Sequence, residues 1–389
     1  MKKCLLAVCA IFAFSVITLV LFWFLVVLRN LPDVAILKHY RPAAASEVLD
    51  KDGNVLTHYY EQKFRVWTPI SSIPDIAIRA VVTAEDDTFF EHGAVNFKMT
   101  WDALMHDVEK RRFARGGSTI TQQMIKNVLL SKEKTIKRKL REYVLARKAE
   151  EILSKRRILE IYLNEVEWGD NIYGIEAACR YYFDKHVSEL TPAEAALLAG
   201  MLPNPHYYNP YKRMGKARHR QEQVLFNMHQ ARLLSDEEYD AALAEPIKLR
   251  QEGNDRFDFS ALTGINGRPC YQEVLEQILL SFYGEQALYR SGPTIRTTLD
   301  KQIQEELRRW EDSLPDRGSS EGDAVTVVKQ GTAIRAFVCT QGKEAEVRSK
   351  FEMPILHVSV YDVETLPLDS ISREQIIQPS SPGMADNPH

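Results

Sequence analysis

The alternation of apolar and polar residues divides the chain into segments of different period. From Cys4 to Leu28 twenty-five residues run without a charge. That exceeds the roughly 20 needed to cross the hydrocarbon core of a bilayer, and predicts a retained transmembrane anchor over residues 1–30 rather than a cleaved signal. Residues 46–70 then alternate apolar and polar positions around Asp52-Gly53, the signature of a β-hairpin, expected to form a stalk over 31–70. From Ile76 to Leu202 the period becomes helical, as in Val144, Leu145, Ala149, Ile152, Leu153, Ile158, Ile161 and Tyr162; the main helical domain is placed at 71–245. Inside it, Thr191-Pro192-Ala193-Glu194 sets a cap, a first-turn proline and an acid ahead of an apolar run, a strong helix start.

Beyond Pro246 the elements become short. Helices are expected over 271–283 and 301–310, a strand over 294–298, and a hairpin from 324–328 with 333–339, together a small α+β module over 246–340. The tail, 341–389, contains Pro354, Pro367, Pro379, Pro382 and Pro388 and is expected to end in disorder. The fold class is therefore mainly α, behind one N-terminal membrane helix and ahead of a small C-terminal α+β module.

Composition sharpens this in two places. A net charge of -3 hides a local excess, because the stretch from Lys126 to Arg157 carries twelve Lys or Arg against four Glu; a basic surface and an anionic partner follow. The five cysteines form no close pair after the first ten residues, so neither a disulfide framework nor a zinc site is indicated.

Three clusters carry candidate chemistry: Glu85-Asp86-Asp87-Thr88-Phe89-Phe90-Glu91-His92-Gly93, Gly116-Gly117-Ser118-Thr119-Ile120-Thr121-Gln122-Gln123, and Arg138-Lys139-Leu140-Arg141-Glu142. Glu85 closes an apolar helix, where partial burial would raise its pKa and fit it to act as a base; a solvated helix-end carboxylate is the alternative. The glycines before Thr119 suit a helix amino terminus that holds an anion, or an ordinary capped turn. Glu142 follows Arg138 by four residues, so an exposed salt bridge would also explain it. His92 could equally be a buried, hydrogen-bonded histidine.

In this order and at these spacings the clusters resemble the signature motifs of the peptidoglycan glycosyltransferase domain shared by class A penicillin-binding proteins and monofunctional biosynthetic transglycosylases. The likeness extends to Lys126-Asn127, to residues 157–165 (RILEIYLNE), to Tyr173-Gly174-Ile175-Glu176-Ala177-Ala178 and to residues 194–200 (EAALLAG), and covers roughly 31–243. It implies a lysozyme-like glycosyltransferase domain in which Glu85 is the general base and Glu142 a second carboxylate near the departing phosphate. Substrate contacts would come from Asp86, Phe89, His92, Gly117, Ser118, Thr119, Gln122, Gln123, Lys126, Lys134, Arg138 and Lys139. The implied reaction polymerises lipid II into β-1,4 glycan, with inversion and release of undecaprenyl diphosphate. A divalent cation, magnesium or manganese, is eligible at Glu142. Residues 95–115, apolar and then basic, would dip into the bilayer surface.

The implied partners are lipid II, the growing glycan chain, the cytoplasmic membrane and a separate transpeptidase, with no nucleic acid; the catalytic domain would sit on the outer face. The module after Tyr271 resembles the linker and first strands that precede a transpeptidase. Such an enzyme needs a serine with a lysine three residues on and a KTG element. The sole SxxK, Ser131 to Lys134, lies inside the glycosyltransferase segment and KTG is absent, so the module is read as a truncated remnant without transpeptidase activity. The rivals are a lytic enzyme, which has no diphosphate to hold, and an idle lipid II-binding scaffold.

Overall fold

The computed structural model describes residues 14–16, 18–19, 22–60, 63–95, 117–131, 133, 135–169, 171–251, 270–312, 324–330, 333–340, 356–362 and 376–377. In chain order the first elements are β1 (Ser46–Leu49), β2 (Val55–Tyr59), β3 (Phe64–Arg65), α1 (Asp75–Glu85), α2 (Ile120–Leu129), α3 (Ile136–Ile152), α4 (Lys155–Glu165) and β4 (Ile172–Tyr173). They are followed by α5 (Ile175–Phe183), α6 (Pro192–Met201), α7 (Pro210–Gln230), α8 (Asp236–Ala244), α9 (Cys270–Arg290), β5 (Thr294–Arg296), α10 (Lys301–Asp312), β6 (Ala324–Gln330), β7 (Ala333–Thr340) and β8 (Leu356–Asp362). They fall into two compact units, one of residues 1–41, 68–169 and 187–247, the other of 42–67, 170–186 and 248–389.

The first unit is helical. Its axis is α6, whose residues from Ala193 to Met201 are all buried; a helix apolar on every side belongs inside a bundle. α1 and α7 both pack on it. Gly200 allows the α7 approach, since a Cβ there would meet the Arg220 backbone and Cβ at 3.1 Å. The helix starts follow the sequence: Thr191 and Ser235 each close a capping box, with Glu194 and Glu238 respectively, an arrangement that stabilises a helix by about 1 kcal/mol. α2 packs on α3 and α4, and the ring N–H of the fully buried Trp168 donates to the Leu198 carbonyl at 3.1 Å.

Among the described residues no helix is long and apolar enough to cross a membrane. Residues 22–28 are helical, while 1–13, 17, 20 and 21 of the expected anchor lie outside the described residues. Arg141 on α3 donates to the carbonyls of Val27 and Arg29.

The second unit corrects the expected stalk. β1 and β2 do form the antiparallel hairpin, but β5 joins β1 in parallel, giving the order β2-β1-β5. Val48, Leu56 and Tyr59 share one apolar core with Leu275, Leu279, Ile295 and Ile334. All five residues of β2 are buried; the hairpin is therefore covered on both faces rather than half-solvated, and the segments divided at 70 and 246 in the sequence share one core. In the tail, β8 pairs antiparallel with β6, giving the order β7-β6-β8. The rest of 341–389, except residues 376–377, lies outside the described residues.

Candidate active site

Two carboxylates define the site, both in the helical unit. α1 ends at Glu85 because Asp86 turns to extended backbone (φ -164°, ψ 75°), and the Asp86 side chain then fastens that end to α2. One of its oxygens accepts the Ile120 N–H at 3.1 Å, and the other lies 2.6 Å from Nε2 of His92. α2 is started by Thr119, whose hydroxyl accepts from the Gln122 N–H and donates to the Ala94 carbonyl, while the Gln122 side chain accepts the Thr119 N–H. With α2 so anchored, Gln123 in its first turn donates from Nε2 to a Glu85 oxygen at 2.6 Å.

Glu85 keeps part of its surface open, yet its carboxyl lies deep enough for burial to be the largest influence on it. Burial pushes its pKa up; the Gln123 hydrogen bond and the charges of Arg220 and Lys126 pull it down, Asp86 adds to the rise, and the net direction is upward. Gln123 is neutral, and among the described residues no cation touches Glu85 directly. The result is a carboxylate that binds a proton more readily than an exposed glutamate does.

Lys126 lies one turn beyond Gln123 on α2 and feels both carboxylates: burial lowers its pKa, while the charges of Glu142 and Glu85 raise it. Glu142, on α3, is 2% exposed. The Arg138 guanidinium reaches one of its oxygens at 2.6 Å and the Lys139 ammonium the other at 2.5 Å; Lys139 also donates to the Ser118 hydroxyl at 2.7 Å. The exposed salt bridge on an outer face is thus replaced by a buried acid between two cations, with a third within electrostatic reach. A buried ion pair is a weak source of stability, but three cations around one anion leave a positive field suited to a diphosphate.

The expected contact residues separate into two groups. Gln123, Lys126, Arg138 and Lys139 surround the two carboxylates, and Gly117 and Ser118 lie half-buried just ahead of α2. Asp86, Phe89, Thr119 and Gln122 were expected at the substrate, but they are enclosed, at 1%, 0%, 0% and 3% exposure. Their polar groups are spent on protein partners, so they position the site. His92 pairs with Asp86, which accords with the hydrogen-bonded alternative. The amino end of α2, expected to hold an external anion, already holds the Asp86 carboxylate. Lys134 and residues 96–115 lie outside the described residues.

Sequence reasoning missed Arg220 on α7, whose charge pulls the Glu85 pKa down, and the pair Glu150–Lys155. Lys155 lies 2.8 Å from Glu150 and 4.4 Å above the Phe89 ring, and Glu150 also accepts the Thr121 hydroxyl. The Arg218-His219-Arg220 run carried only an amphipathic signal; its role depends on the helix crossing at Gly200. Nor does the donor set fit a divalent cation. Among the described residues no group of three or more His, Cys, Asp or Glu is placed to hold one, and both Glu142 oxygens already face cations.

The chain is similar to several known proteins. A family model described as Transglycosylase matches residues 52–229. Penicillin-binding protein 1A of Aquifex aeolicus (strain VF5) is 33% identical over 317 residues, covering 79% of this chain and 42% of that protein. Penicillin-binding protein 1A of Neisseria lactamica is 37% identical over 306 residues, covering 78% of this chain and 37% of that protein. A crystal structure of penicillin-binding protein 1A from Haemophilus influenzae matches 69% of this chain and 29% of its own, at 22% identity and a TM-score of 0.37. The chain thus spans roughly two fifths of the length of the curated relatives it matches.

Proposed function

The chain belongs to the transglycosylase family through residues 52–229, and from that premise we propose that it is a peptidoglycan glycosyltransferase that polymerises lipid II. Glu85 takes the proton of the acceptor sugar's 4-hydroxyl as that oxygen attacks the anomeric carbon of the growing chain. The bond from that carbon to the diphosphate oxygen breaks, and its electron pair leaves with undecaprenyl diphosphate. Attack from the face opposite the leaving group inverts the centre, giving a β-1,4 link.

The observation that carries this reading is the pairing of unlike carboxylates around Lys126. Glu85 is half-buried, raised in pKa and in contact with a neutral amide alone, as a base must be. Glu142 is neutralised by Arg138 and Lys139, so its neighbourhood can receive negative charge. Lys126, with no direct ion pair among the described residues, is the cation left for the diphosphate. No step is assigned to a metal.

The proposed setting is the outer face of the bacterial cytoplasmic membrane, with residues 1–30 as anchor and residues 95–115 at the bilayer surface. Glycan polymerisation is the reaction assigned to these 389 residues. The test is to supply the purified chain, in detergent or vesicles, with lipid II and resolve the products. Glycan polymer with release of the lipid diphosphate is expected. Release of fragments from mature sacculi, without polymer from lipid II, would transfer the site to a lytic enzyme.

A further inference from the structure

Arg141 adjoins Glu142 on α3, yet its half-buried guanidinium serves the end of the helix over residues 22–28. Nε donates to the Val27 carbonyl at 2.7 Å and Nη2 to the Arg29 carbonyl at 3.1 Å. That helix stops for local reasons. Asn30 takes the left-handed conformation (φ 59°) in which helices commonly end, and Pro32 has no N–H with which to continue one. The last carbonyls are thereby left without helical partners, and a guanidinium satisfies two of them while its charge meets the negative end of the helix dipole. Exposure marks the same point: residues 22–26 are 38% to 68% exposed, whereas Val27 is 1% exposed.

The chain stays attached beyond this corner. Asp33 caps the turn Val34–Lys38 by accepting the Ala35 N–H. That turn packs on α3, and its Leu37 is fully buried. Arg157 on α4 then donates to the Tyr40 carbonyl at 2.7 Å, and the Tyr40 hydroxyl donates to Glu165 at 2.7 Å. From Val27 to Tyr40 the segment is therefore fastened at both ends and in the middle to α3 and α4, as a flexible linker is not.

We propose that Arg141 is a positioning residue that pins the membrane anchor to the helix carrying Glu142, so that the anchor is a rigid post which sets the height and tilt of the site over the bilayer. The inference rests on the readings of residues 1–30 as an anchor and of the chain as a lipid II polymerase. Its physical basis is the substrate. A lipid-linked diphosphate is confined to the bilayer surface, so a site held at that level meets it in a productive orientation, whereas a site on a loose tether samples many heights and tilts. Arg138, Lys139 and Glu142 lie within one helical turn of Arg141, which leaves little play between the pin and the charges that face the diphosphate.

The test uses the full chain with Arg141→Gln and Arg141→Lys. In vesicles with full-length lipid II, Arg141→Gln is expected to lower kcat/KM for polymerisation by roughly 5- to 20-fold. With a short-chain, water-soluble lipid II analogue in detergent it should stay within about twofold of the parent, because that substrate imposes no height. Arg141→Lys keeps donors and charge and should recover most of the loss in vesicles. Hydrogen exchange over residues 28–40, read by mass spectrometry, should quicken in Arg141→Gln while that of α2 is unchanged. Equal losses with both substrates, or no loss in vesicles, overturn the proposal. A parent that does not float with vesicles refutes the anchor itself, and the proposal with it. If the parent makes no polymer from either substrate, the polymerase reading falls and the exchange measurement decides the docking, which unchanged exchange over residues 28–40 overturns. Should Arg141→Gln melt early, insertion of two glycines between Leu31 and Pro32 loosens the same corner with α3 intact and carries the same comparison.

Discussion

Glu85 in the helical unit and Glu47 in the mixed unit are built from the same ingredients, a sheltered carboxylate with an arginine from a helix. Burial pushes both upward. At Glu47 that push is overcome by the His58 hydrogen bond and by Arg180, and its pKa falls to about 2; the Arg180 guanidinium touches it at 2.6 Å and reaches Glu176 at 2.7 Å on its other side. At Glu85 burial prevails because only Gln123 makes direct contact. Direct pairing produces an inert strut, and withheld pairing produces a group that can exchange a proton. The contact that would have made Glu85 most comfortable is the one that the proposed role of base forbids.

The sharpest way to break this comparison is to neutralise both acids. Glu85→Gln should lower polymerisation by about 10²- to 10⁴-fold, the range a general base contributes, with an unchanged circular dichroism spectrum. Glu47→Gln should leave kcat within a few-fold at a temperature where the variant is folded. Comparable losses of rate in both would dissolve the distinction between strut and base. Next in size is Lys126→Met, expected to cost about 10²- to 10³-fold in kcat if the lysine meets charge that develops on the diphosphate. A rise in KM with kcat preserved would instead assign it to ground-state binding.

A smaller effect, on stability, sharpens the other half. Removing one partner from a buried pair costs about 3 kcal/mol or somewhat more, so Glu47→Gln should unfold at lower denaturant. Because the folded pKa of Glu47 is depressed from 4.5 to about 2, its contribution is present above pH 4.5 and is lost as pH falls toward 2. The parent and the variant should therefore converge in acid. Parallel stability curves across that window would mean that the Glu47–Arg180 contact contributes nothing.

How much of this was legible depends on how local the cause is. The capping boxes at Thr119, Thr191 and Ser235 are written in four residues each, and the structure contains all three. Glu85 at the end of an apolar helix is equally local. The hairpin at 46–59 was visible, but its role was not: the strand that completes its sheet, β5, lies more than two hundred residues away. β8 alternates Leu356, Val358 and Val360 with polar residues, a pattern obscured by the prolines around it. In the site, Asp86, Phe89, Thr119 and Gln122 belong to the same motifs as the more open residues yet are enclosed. The motif records which residues build the corner, and only packing separates those that face the reaction from those that hold the corner together. Arg220 was hidden for the converse reason, since its place against Gly200 comes from a helix crossing that sequence spacing does not encode.

The smallest expected effect turns the comparison into thermodynamics. Burial raises the Glu85 pKa in the folded chain above its ordinary 4.5, so between those two values the folded form keeps a proton that the unfolded form has released. Stability contributed by this group therefore falls as pH rises through that window and stays low above it. This is the opposite slope to that of Glu47. Glu85→Gln removes the ionisation but keeps an oxygen for the Gln123 amide. The variant should match the parent below the ordinary 4.5, gain on it as pH rises through the raised folded value, and hold a constant small advantage above that value, as unfolding at several pH values would register. An inactive variant that is slightly more stable is what a site selected for reactivity rather than for comfort must give. A Glu85→Gln chain less stable than the parent at every pH would instead mean that the carboxylate is well satisfied in the fold, and Glu85 would have to be reclassified with Glu47.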